Sequence, residues 1–151
     1  MNRRRIMIGI AVLLVLVVAV IAWRWLFPPF PDEQHVIALY AEHEQEFAAL
    51  TKMIEGHCDG HLTPEATAVA SRIDPRMRVV CDYDGTVRFI LGVRGLITIG
   101  PERIIGLTYI PGDPARKGSV VPALGPHTQD VGNVYLRQVD NQWYIFSQNT
   151  D

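Results

Sequence analysis

The sequence predicts an α+β fold: an N-terminal transmembrane helix, then a long amphipathic helix and a short helix packed on a mainly antiparallel, curved β-sheet of about six strands. Three observations lead there. Residues 6–22 form an uncharged apolar run, and residues 32–55 repeat apolar side chains at spacings of three and four. From residue 76 onward, short β-rich runs alternate with turn signals. The implied organisation is a membrane anchor over 1–27, a proline-rich connector over 28–31 and an exported α+β domain over 32–151.

The seventeen residues from Ile6 to Ala22 carry no charge and are nearly all Val, Leu, Ile or Ala. With Trp23 to Phe27 added, the stretch can cover the ~30 Å hydrocarbon layer at ~1.5 Å per helical residue. A helix apolar on every side requires lipid or a large core around it, so residues 6–27 are expected to have the bilayer as partner. Arg3, Arg4 and Arg5 precede the run. Trp23, Arg24 and Trp25 follow it, at the level where indoles and a snorkelling guanidinium settle. With Asp32 and Glu33 just beyond, the positive-inside bias puts the N-terminus in the cytoplasm and residues 28 onward across the membrane. The rival is a cleaved signal peptide, with Val20-Ile21-Ala22 before the cut. The apolar run exceeds the ~7–15 residues of a signal h-region, which favours an uncleaved signal-anchor.

The exported part holds ten Lys and Arg against sixteen Asp and Glu, a net charge near −6. That excludes nucleic acid and anionic headgroups as natural partners and suits a basic protein. Its two cysteines, Cys58 and Cys81, are expected to form a disulfide in an oxidising compartment, stabilising by ~3 kcal/mol in the chain-entropy model. A pair of buried thiols is the alternative.

Pro28-Pro29-Phe30-Pro31 reads as a short stiff connector. Over 32–55, Val36, Tyr40, His43, Phe47, Leu50 and Ile54 share one helical face, and Gly56 can end the helix. The outward side carries Glu42, Glu44, Glu46 and Glu55 against Lys52, a candidate acidic docking surface or a plain solvated face. Gly56 to Leu62 gathers His57, Cys58, Asp59 and His61, which imitates a metal site without a second cluster of matching spacing. No metal or cofactor is therefore expected. Thr63-Pro64-Glu65 has the chemistry of a helix start, and Asp74-Pro75 stops the short helix that follows.

Strands are expected at 78–81, 86–91, 96–99, 104–110, 134–139 and 143–147, with turns at Asp82-Tyr83-Asp84-Gly85, Gly100 to Arg103 and Asp140-Asn141. Pro111 to Gly132 breaks the order. A loop that long is either functional or a floppy crossover, and Arg116, Lys117 and His127 are its candidate partner-binding residues. Gly-x-Ser-x-Gly, the P-loop, His-Glu-x-x-His and paired Cys-x-x-Cys do not occur, so no catalytic residue is assigned and a non-enzymatic binding module is expected.

The closing segments carry a resemblance. Tyr109-Ile110-Pro111 with its proline-glycine loop, Val134-Tyr135-Leu136-Arg137 and Asn141-Gln142-Trp143-Tyr144-Ile145 are similar to small uncharacterised single-span or secreted bacterial envelope proteins. Those end in a hairpin of a Tyr-Arg strand and a Trp-Tyr strand, and some resemble toxin-immunity partners. The resemblance implies a single-pass protein of the bacterial cytoplasmic membrane with its domain in the periplasm or outside the cell. It also implies a protein partner, in the narrower form a toxin that the domain binds and blocks. An accessory subunit of an envelope assembly, packing through its transmembrane helix, is the alternative, and a hydrolase or metal-dependent enzyme using His57, Asp59 and His61 is the third reading.

Overall fold

Residues 3–26, 30–55, 62–94, 102–127 and 130–150 are described by the computed structural model, and the chain divides into two units, Met1–Phe30 and Pro31–Asp151. The first unit is built on α1, Arg3–Leu26, a helix of 24 residues. Its described side chains, Ile10 and residues 12–23, are all exposed and apolar. They cover about half of the helix, and among the described residues no helix is long and apolar enough to cross a membrane.

The second unit begins with α2, Glu33–Ile54. Asp32 caps it, its carboxylate accepting from the His35 N–H at 2.8 Å. Val36, Tyr40, Phe47, Leu50 and Ile54 are buried, as the periodicity predicts, and Thr51 joins them with its hydroxyl donating to the Phe47 carbonyl. His43 stands on the same stripe but leaves helical geometry (φ −122°, ψ 23°) and pairs its ring with Glu46. The helix bends there. α3, Pro64–Ile73, starts as the sequence predicts, with the Thr63 hydroxyl accepting from the Ala66 N–H and proline in the first turn. Its buried Ala66, Val69, Ala70 and Ile73 form the side that packs against α2.

Among the described residues six strands follow: β1 Arg78–Cys81, β2 Val87–Arg94, β3 Glu102–Tyr109, β4 Ser119–Val120, β5 Val134–Asp140 and β6 Trp143–Thr150. Their order in the sheet is β1-β2-β3-β6-β5-β4, antiparallel throughout except for β4 beside β5. The sheet is thus mixed, though mostly antiparallel. A strand expected at Leu96–Ile99 lies outside the described residues, and Glu102 and Arg103, read from sequence as turn, open β3. β4, inside the supposed loop, was not foreseen. It pairs through two residues only, with the Val121 N–H adding a bond to the Leu136 carbonyl.

Alternation along the strands divides the sheet into two faces. Phe89, Leu107, Tyr109, Trp143 and Ile145 are registered together and meet α2. The Trp143 ring lies 5.4 Å from Tyr40, 5.9 Å from Phe89 and 6.1 Å from Phe47, an aromatic cluster beneath the bent helix. On the opposite face Arg88, Thr108, Tyr144 and Gln138 form one row, and Ile90, Gly106, Phe146 and Leu136 the next. Gly106 is required there: a Cβ would stand 2.1 Å from the Phe89 carbonyl oxygen and 2.9 Å from the Phe146 ring. Ile110, Leu136, Tyr144 and Phe146 form a second apolar cluster, with Ile90, Ile104 and Val134 packed against it.

Candidate functional site

The β1–β2 turn and the segment after β3 converge on that second face. Gly85 adopts φ 84°, the positive value that Asp-Gly predicts, and the Asp82 N–H bonds the Thr86 carbonyl at 2.8 Å across the turn. This geometry brings Asp82 and Asp84 to one side. Arg88 Nη2 lies 3.0 Å from both Asp82 oxygens. Lys117 then reaches back from the segment after β3, placing Nζ 2.9 Å from Asp82 Oδ2 and 2.8 Å from Asp84 Oδ2. Charge shifts follow. The Lys117 hydrogen bond holds the Asp84 carboxyl at about 2. Burial pushes Asp82 upward, but the bonds from Lys117 and Arg88 prevail and hold it below its ordinary value. Burial likewise opposes the charge on Lys117, and its two carboxylate partners raise its pKa nonetheless.

Beneath this clamp is a recess of about 150 Å3. Ile110, Val134, Leu136 and Phe146 supply apolar walls, Thr86 and Thr108 polar ones, and Asp82, Arg88, Arg116 and Lys117 the rim. Thr108 is satisfied, donating to the Val87 carbonyl at 3.0 Å. Thr86 is not. Its residue is 2 % exposed and its hydroxyl makes no hydrogen bond, although it is near enough to Asp84 to help depress that carboxyl. Arg116 is exposed at the rim and enters no ion pair among the described residues.

The segment from Pro111 to Gly132 is therefore fastened over its described part, residues 111–127 and 130–132. A 3-10 turn at Pro114–Arg116 presents Lys117 to the clamp, and β4 ties the segment to β5. It then passes to the start of α2, where the Leu124 N–H donates to Glu33 Oε2 at 2.9 Å. Glu33 also forms an ion pair with Arg137 of β5. Glu33 thus joins three parts of the domain.

The sequence-predicted partner residues do not form one site. Arg116 and Lys117 meet at the recess. His127 instead stacks on Tyr135 (ring centroids 4.4 Å apart) and lies 3.2 Å from Asp130 Oδ2, which also accepts from the Tyr135 hydroxyl at 2.8 Å. Glu42 and Glu44 are exposed on α2, and Glu46 is occupied with His43. α2 and the recess lie on opposite faces of the sheet, so the acidic helix and the basic segment are separate surfaces. Cys81 is disulfide-bonded, while its expected partner Cys58 lies outside the described residues. His57, Asp59 and His61 lie outside them as well, and among the described residues no group of His, Cys, Asp or Glu is placed to hold a metal ion. Arg3, Arg4, Arg5, Arg24 and Trp25 belong to α1, and the Trp23 side chain is exposed.

Sequence reasoning missed Thr86, Arg88 and the two aspartates as parts of a site. Asp82 and Asp84 carried a turn signal, which they obey, and nothing in the chain announces their lysine. Comparison with protein-family models, with curated proteins and with solved structures finds no match.

Proposed function

We propose that the protein is a membrane-held binding module whose domain lies outside the cytoplasm and receives its partner on the recess face of the sheet. The observation that carries this reading is how the recess is made. Its two acids are committed to bases, Asp82 to Arg88 and Lys117 and Asp84 to Lys117, around an apolar floor. Such a surface suits holding a partner, since no carboxylate or amine in it is left poised for proton transfer. What supports the anchor is α1, whose 24 residues would extend ~36 Å at ~1.5 Å each and whose described side chains are all apolar and exposed. In its narrower form the partner is a delivered toxin, because a membrane-held inhibitor guards the compartment where a wall- or membrane-damaging protein arrives.

Two measurements test the reading. A topology reporter at the carboxyl end should signal only outside the cytosol, and a cytosolic signal ends it. Full-length protein should capture a partner that Thr86→Trp, which fills the recess, no longer captures; equal capture by both ends the assignment of the face. For the toxin form, cells lacking the protein should become sensitive to a toxin encoded beside its gene. An unharmed deletion strain, with no binding, removes that form.

A further inference from the structure

We propose that the recess is a binding site for a small monocarboxylate bearing a compact apolar group, with the carboxylate met by Arg116 and the Thr86 hydroxyl and the apolar group seated on Ile110, Val134, Leu136 and Phe146. This deepens the binding-module reading and rests on it for the use of this face, but it does not depend on where the domain lies.

Three observations select this chemistry. The first is the unsatisfied hydroxyl. Leaving a buried donor and acceptor unpaired is costly, and folded proteins rarely do it without a reason. Strand alternation puts Thr86 on the recess side with Arg88, while Val87 between them faces the helix side. Thr86 lines the recess, so its unpaired hydroxyl belongs to the side of the domain from which a ligand oxygen would come.

The second observation is charge. The domain is strongly acidic, yet this rim gathers Arg88, Arg116 and Lys117 against Asp82 and Asp84. Arg88 and Lys117 balance the two aspartates, so the surplus is the guanidinium of Arg116. One unmatched cation favours a monoanion, and a planar guanidinium matches a carboxylate through paired hydrogen bonds.

The third is size and polarity. A cavity of this volume holds a group on the order of a benzene ring. Four of the ten lining residues are Ile, Val, Leu and Phe, and they stand together on β5, β6 and the end of β3. The ligand therefore carries a branched aliphatic or single-ring group next to its carboxylate. A free organic acid has this chemistry, and so does the carboxyl end of a peptide that finishes in an apolar residue.

The test uses the full chain in lipid nanodiscs, with empty nanodiscs as the blank and calorimetric titration as the readout. The probes are 4-methylpentanoate, acetyl-alanyl-leucine, and the uncharged amide of each. At least one carboxylate should bind, and its amide should bind at least tenfold more weakly. The free acid binding alone identifies a small-molecule site. Tighter binding of the dipeptide identifies a chain end. Arg116→Gln should weaken the carboxylate about tenfold, whereas Arg72→Gln, exposed on α3, should not.

Thr86→Val gives a readout that a merely structural threonine would not. It removes the orphan hydroxyl at constant shape, so the empty protein should melt at a higher temperature while binding the carboxylate several-fold more weakly. Absence of binding by both carboxylates, or binding indifferent to Arg116→Gln and Thr86→Val, overturns the proposal. If the probes fail while Thr86→Trp still abolishes partner capture, the ligand class falls and the binding-module reading stands.

Discussion

Gln142 holds a left-handed backbone (φ 64°), a region that residues with a β-carbon seldom occupy. Its own side chain keeps it there. The Tyr109 hydroxyl donates to Oε1 and Nε2 donates to the Pro111 carbonyl, both at 3.2 Å. Gln142→Gly removes the strain along with these bonds and should leave stability within about 0.5 kcal/mol of the parent. Gln142→Val keeps the strain, loses both bonds and should cost about 2 kcal/mol, read from urea midpoints. The charged residues make a second prediction, in pH. Asp84 titrates at about 2 in the folded protein and near 3.8 when free, so its stabilising contribution is complete above that upper value. It is lost as pH falls from 3.8 to 2, and in Lys117→Met the loss over this window should shrink in acid unfolding followed by circular dichroism. Tyr40 gives the opposite limb. Burial, then the charge of Asp140, raises it to about 12, so the unfolded chain ionises first and stability falls between pH 10 and 12. Tyr40→Phe should flatten that limb.

At the scale of elements, α2 was legible because its signal is periodic and local. Val36, Tyr40, Phe47, Leu50 and Ile54 declare a face before any partner is known, and all are buried. Phe47, fully buried between Phe89 and Trp143, should cost about 3–5 kcal/mol as Phe47→Ala, measured by chemical denaturation. The caps of α2 and α3 were legible for the same reason: Asp32 and Thr63 act within three residues of themselves. The bend at His43 and the strand β4 were not. β4 is two residues long, and just before it Lys117 meets two aspartates from a distant turn. No window of neighbouring residues holds that information. The candidate site shares this property. Arg116 and Lys117 were noticed as loop cations, but Thr86 matters through the absence of a partner, which only a folded chain can reveal.

The whole molecule keeps its two charged surfaces apart. One face of the sheet is roofed by α2, which turns Glu42 and Glu44 to solvent; the other bears the recess and its surplus guanidinium. A partner large enough to use both would have to pass around an edge of the sheet, so each surface can be altered without the other. Cys81 anchors the outermost strand β1, a short element paired on one side only, through its disulfide. Cys81→Ala should lower stability by about 2–4 kcal/mol, and reductant should bring the parent protein to the same denaturation midpoint. The order of strands has a temporal meaning as well. β6 is the last of the six to be synthesised, yet it lies between β3 and β5 and bonds to both. Until residues 143–150 have left the ribosome, β3 and β5 lack the strand that pairs with both, and Trp143 is missing from beneath the helix. A sheet built this way cannot be completed until its last strand has been made.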